Sequence, residues 1–105
     1  MLGEIKMKVN FTSKGATFNE KKKDKAISLL SRLEKFFTKE SCCDLTLSKI
    51  TDGQIKVDAR LRHNGDVYLA SAEGSDYDVV MTDAYEKLKK QLRREKDKKL
   101  ADLFA

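Results

Sequence analysis

The sequence contains no proline and no tryptophan, with five glycines, one histidine and two cysteines among its 105 residues. No Pro/Gly/Ser-rich linker divides it and no internal repeat is visible, so it reads as one domain, residues 1–105, with a single core. No apolar run approaches the roughly 18 residues of a membrane span, and the opening MLGEIKMKV lacks the hydrophobic block of a signal peptide. A soluble, cytoplasmic protein with no membrane partner is expected. Cys42 and Cys43 are neighbours that strain against bridging each other, and no His or Cys stands at metal-ligand spacing nearby. They read as reduced structural thiols, with no metal. His63 precedes an Asn-Gly pair without a partner Ser, Cys or Asp and reads as a surface turn residue. A nucleophile with its base, a paired acid and base, and a phosphate-cradling glycine loop are all missing. These absences exclude an enzyme, a cofactor and a small-molecule substrate, and Gly74 is more simply a turn before a helix.

Positive charge is abundant, and in one place. The net charge is +5, and residues 86–99 alone hold eight Lys/Arg against Glu86, Glu95 and Asp97. The rest of the chain therefore sums to zero, and the basicity is a local field of the kind that binds polyanions.

Hydrophobic periodicity supplies the scaffold for that field. Ile5, Met7, Val9 and Phe11 alternate with polar residues, as on a half-buried strand. Thr17 and Glu20 have capping-box spacing, and Ala26, Leu29, Leu30, Leu33 and Phe37 recur every three or four positions, which predicts an amphipathic helix ending near Phe37. DLTLSKI, QIKVDARLR and DVYLASAE are three strand-like runs separated by Asp52-Gly53 and Asn64-Gly65. A two-residue turn at Asn64-Gly65 pairs Leu61 with Tyr68, Ala59 with Ala70 and Val57 with Ala72 on one apolar face, leaving Arg60 and Arg62 on the other. The same turn at Asp52-Gly53 sets Leu45 and Leu47 opposite Arg60 and Asp58, so a bulge or longer loop is expected there. A last helix opens at Ser75 or Asp76 and carries Tyr77, Val80, Met81, Ala84, Tyr85, Leu88 and Leu92 as its stripe. It should outrun the core after about Arg94, leaving a basic end and short tail over about 95–105. The fold class is α+β, in the order β-α-β-β-β-α: a four-stranded sheet with two helices side by side on one face.

On the last helix, Lys87, Lys90, Arg94 and Lys98 line one flank of the stripe, and Lys89, Arg93 and Lys96 line the other. The first helix has Lys21, Lys25, Arg32 and Lys35 on one flank. Two such helices on one sheet face can join their basic flanks into a groove on the scale of several phosphates. The three tyrosines point to the core by wheel and strand parity, so base stacking is not their expected role.

The element order, LSRLEKFF closing the first helix, ASAEGSD after Asn-Gly, and the KLKKQLRREKDK helix together resemble the short-form ribosome hibernation-promoting factors and ribosome-associated inhibitors. The specific part is A-x-A-E-G-x-D followed by K-L-x-[RK]-Q-L, and the pattern covers nearly the whole chain. The resemblance implies a protein that binds the small ribosomal subunit and its 16S-type rRNA at the decoding region of the 70S ribosome. There it would block the tRNA and mRNA sites and inhibit translation under stress or in stationary phase. Carried over by position, it implies RNA contacts at Lys87, Lys90, Gln91, Arg94, Lys96 and Lys98 of the second helix and at Lys23 and Arg32 of the first. The chain departs from the family where Lys22 and Lys25 replace an aliphatic and an aromatic residue, and where Leu29 stands at a frequent Lys position.

Two other classes share some of these features. A double-stranded-RNA-binding domain also ends in β-β-β-α, but its last helix is basic at the N-terminus, where this one reads SDYDVVMTD. A basic adaptor that binds acidic proteins is the other alternative.

Overall fold

A computed structural model describes residues 7–36, 40–63 and 65–104, with side chains described as far as residue 95. The elements run β1 (Met7–Lys14), α1 (Glu20–Ser31), a 3-10 turn (Arg32–Phe36), β2 (Ser41–Thr51), β3 (Gln54–His63), β4 (Asp66–Gly74) and α2 (Tyr77–Phe104). The four strands form one sheet in the order β1-β2-β3-β4, with β1 parallel to β2 and the others antiparallel. This is the expected β-α-β-β-β-α arrangement.

Strand alternation decides the core. Along β2, Cys43, Leu45 and Leu47 are buried, while Cys42, Asp44 and Thr46 between them are only half-buried. The second hairpin has the register that its turn dictates, with Leu61 opposite Tyr68, Ala59 opposite Ala70 and Val57 opposite Ala72. Gly65 takes φ +86°, a value that glycine adopts without steric cost; its neighbour Asn64 lies outside the described residues. The first hairpin contains the anticipated bulge. Lys49 pairs with Ile55 and Thr51 with Gln54, so Ile50 is the extra residue that brings Leu45 opposite Ala59 and Leu47 opposite Val57.

Both helices close over the apolar face. Ala26, Leu30 and Leu33 from the first meet Met81, Ala84 and Leu88 from the second above Leu45, Leu47, Val57 and Leu61. The N-cap of α1 differs from the capping box expected at Thr17. Asn19 caps the helix instead, its Oδ1 accepting from the Lys22 amide at 2.9 Å. The bracketing strand-to-helix loop buries Phe18, which packs edge-on against Phe11 of β1 (4.8 Å between centroids) and Tyr77 of α2 (6.2 Å). The α-helical part of the first helix stops at Ser31, and the tighter 3-10 turn carries the chain to Phe36; Phe37, like Ile5, lies outside the described residues. At α2, Asp76 is the cap, its Oδ1 accepting from the Asp78 amide at 2.9 Å. Leu92 is the last buried residue on α2 among those whose side chains are described, and the helical backbone runs on to Phe104.

Candidate nucleic-acid interface

The direction of the chain fixes how the two basic helices meet. A crossover from β1 to the parallel β2 sends α1 back against the strands, and α2 reverses from β4, which is itself parallel to β2. The helices therefore run the same way, with their N-terminal ends together. Tyr77 at the start of α2 donates its phenolic hydrogen to the Lys22 carbonyl at 2.6 Å, and the Lys22 ammonium lies 5.6 Å from the Tyr77 ring centroid. The same ammonium donates to the Thr17 carbonyl at 3.4 Å.

Contacts to the outer strands sort the flanks. Lys23 places its ammonium 5.6 Å from the Phe11 ring, so its side of α1 faces β1. Lys21, Lys25 and Arg32 lie across the stripe from Lys23 and consequently face α2. On α2, Lys87 donates to the Ser71 carbonyl and Gln91 to the Leu69 carbonyl, each at 2.6 Å, so this flank faces the free edge of β4. Lys87 also pairs with Asp83 at 3.5 Å. Lys89 and Arg93 lie on the other flank of the stripe and, with Asp83, Glu86, Lys87 and Lys90, line a shallow depression on the outer side of α2.

By helical spacing, the flank of α1 nearer α2 carries Lys21, Lys25 and Arg32, and the flank of α2 away from β4 carries Lys89 and Arg93. Lys90 and Arg94 stand on the outer flank beside Lys87. Among the described residues, Lys21, Lys25, Arg32, Lys90, Arg93 and Arg94 have no ion-pair or hydrogen-bond partner. Lys89 lies over the Tyr85 ring at 5.9 Å. Lys35 sits in the 3-10 turn with its ammonium 5.4 Å from the Phe36 ring; 3-10 winding carries it away from the flank that α-helical spacing assigns it. The side chains of Lys96 and Lys98 lie outside the described residues. Leu29 is buried in the core, so the hydrophobic residue at this position supports the fold instead of adding a cation.

The opposite face of the sheet behaves differently. Two of its cations are paired with acids, Arg62 with Asp44 at 3.5 Å and Lys56 with Asp58 at 3.7 Å, and Asn10 donates to Asp44 at 2.8 Å, while Arg60 has no ion pair among the described residues. A shallow depression there, lined by Asp44, Thr46, Asp58, Arg60, Leu69 and Ser71, mixes both signs with an exposed leucine. The unbalanced positive field belongs to the helical face. Tyr77 and Tyr85 are buried and Tyr68 is partly buried against the core, which leaves phosphate neutralisation as the main chemistry this face offers.

The wheel identified the cations but not the neighbours of each flank. The resemblance marks Lys87 and Gln91 as RNA-facing positions, and their hydrogen bonds to the β4 carbonyls are what the sequence did not show. Their spacing of four matches the alternate carbonyls of an edge strand, a signal that becomes readable only once β4 is known to be the edge.

Residues 9–100 match the family model described as "Sigma 54 modulation protein / S30EA ribosomal protein". The fold is similar to the crystal structure of the Thermus thermophilus Protein Y N-terminal domain, with a TM-score of 0.74 and 16% identity over 88% of this chain and 98% of that one. It is also similar to a ribosomal subunit interface protein from Coxiella burnetii, with a TM-score of 0.71 and 20% identity over 87% and 99% of the two chains. No curated protein matches the sequence.

Proposed function

The chain belongs to the sigma 54 modulation protein / S30EA ribosomal protein family, whose members are ribosome-associated binding proteins and not enzymes, and from that premise we propose that it is a ribosome hibernation factor. The two-helix face docks on the 16S-type rRNA of the small subunit at the decoding region. The protein occupies the space of tRNA and mRNA in the 70S ribosome and holds it inactive during stress or stationary phase, in the cytoplasm.

The observation that carries this reading is the asymmetry of charge pairing. On the helical face Lys21, Lys25, Arg32, Lys90, Arg93 and Arg94 lack acidic partners among the described residues, and Lys87 pairs with Asp83, whereas Arg62 and Lys56 on the sheet face are both paired. Lys and Arg at helical spacing neutralise phosphates without reading bases, so a structured RNA is recognised by its backbone shape. Lys21, Lys25 and Arg32 act on the flank of α1 nearer α2 and Lys89 and Arg93 on the flank of α2 away from β4, with Lys90 and Arg94 on the outer flank of α2.

The test is binding to purified small subunits in competition with P-site tRNA, together with translation in a purified system. Displacement of the tRNA and loss of translation are expected. Simultaneous binding of both would sink the occupancy claim, and co-sedimentation that survives nuclease treatment would point to the adaptor class.

A further inference from the structure

We propose that Lys87 and Gln91 form a clamp that fixes α2 on the free edge of β4, and that they serve RNA binding as positioning residues and not as phosphate contacts. This inference rests on the ribosomal reading above. In an edge strand, the carbonyls that point away from the sheet have no strand partner and are open to pairing with another chain. On β4 two of these, at Leu69 and Ser71, are taken by Gln91 and Lys87 at 2.6 Å. The two donors are one helical turn apart and the two acceptors two strand residues apart, so the contacts hold the helix both along its axis and against rotation about it.

Rotation is what matters to the opposite flank. The core stripe alone, ending at Leu92, tolerates a small roll of the helix, because an apolar contact is not directional. Two short hydrogen bonds to a fixed strand are directional. They set the azimuth at which α2 presents the flank that carries Lys89 and Arg93. Lys87 is further committed by Asp83, which offsets its charge on the same flank. Drawing this ammonium to a phosphate would break both contacts and uncover the strand edge.

Salt dependence separates a clamp from a contact. Each phosphate contact contributes about 0.7 to 0.9 to the slope of log affinity against log salt. The Lys87→Met, Gln91→Leu double variant is expected to bind small subunits about tenfold more weakly at an unchanged slope, as follows from losing one charged and one neutral hydrogen bond that fix the helix. Lys87→Arg, which keeps a donor within reach of Ser71, should restore most of the affinity. Lys89→Gln with Arg93→Gln should instead flatten the slope by about 1.4 to 1.8 units. Circular dichroism confirms that each variant is folded at the assay temperature, and the carbonyl carbon resonances of Leu69 and Ser71 report whether the clamp bonds are lost.

A slope that falls in the Lys87→Met variant as it does for Lys89→Gln would overturn the proposal and make Lys87 a phosphate contact. Unchanged affinity with the Leu69 and Ser71 resonances shifted would overturn it too. A wild-type protein without salt-dependent binding would remove the ribosomal reading and the positioning role with it, a failure visible before any variant is compared.

Discussion

Tyr77 Oη donates to the main-chain carbonyl of Lys22 at 2.6 Å, while the Lys22 ammonium lies over the Tyr77 ring. One pair thus ties the first turns of both helices and fixes where their parallel course begins. Sequence periodicity put both residues on helices, but their meeting depends on the crossover between β1 and β2.

Removing the phenolic oxygen tests that tie. Tyr77→Phe keeps the edge-to-face packing on Phe18 and loses the hydrogen bond, so unfolding by denaturant should show a loss of about 1 kcal/mol. Burial, reinforced by the neighbouring Asp78 charge, raises the Tyr77 pKa above its ordinary value. The stability held by the neutral phenol is complete below the unfolded-state value of about 10 and is lost as pH rises through the higher folded value. Wild-type stability should therefore decline above about pH 10 more steeply than that of Tyr77→Phe. Parallel alkaline slopes in the two proteins would show that the hydroxyl is not shielded as described.

The adjacent thiols should differ sharply in reactivity. Cys43 points into the core and is fully buried; burial first, then the charges of Asp44 and Cys42, pushes its pKa up to about 12. Cys42 points to the opposite, half-open face, where its Sγ accepts from Asn10 and Arg62, each at 3.4 Å. Since thiolate is the reactive form, a thiol reagent at pH 8 should label one cysteine in the native protein, mapped by peptide mass spectrometry to Cys42, and both after denaturation. Native labelling of Cys43 would contradict the packing of β2.

Gly74 ends β4 where a Cβ would meet Val80 Cγ2 at 2.9 Å. Val80 is buried in the first turn of α2 and cannot swing away, so Gly74→Ala should cost about 1–3 kcal/mol by overpacking. Its cost should shrink in a Val80→Ala background, where the obstructing methyl is gone. Additive losses in this double-mutant cycle would mean that the two positions do not touch.

The fold was largely legible because its turns and alternation agree. Asn64-Gly65 dictated the β3–β4 register residue by residue, and the mismatch of Leu45 and Leu47 with charged partners announced the bulge at Ile50. The cap of α1 was misread because Thr17 and Asn19 both precede the helix with suitable oxygens, and only Asn19 lies next to its first turn. The cations themselves were visible as a wheel pattern. A wheel describes one helix in isolation, so it could not tell that the Lys87 flank looks onto a strand edge. Nor could it show that Phe18 would bridge Phe11 and Tyr77.

The sheet order has a further consequence in time. β2, β3 and β4 follow one another both along the chain and across the sheet, so their pairings close short loops. β1 joins only through partners far along the sequence: Asn10 meets Asp44 at a separation of 34 residues. Local pairings form at lower entropic cost than distant ones. On these grounds the meander with α2 seated on it should form first, and β1 should join last and loosen first, an order that hydrogen exchange of the β1 amides would report. The two margins of the sheet have opposite characters: one is a late and reversible attachment, and the other is sealed by the helix that the meander itself brings home.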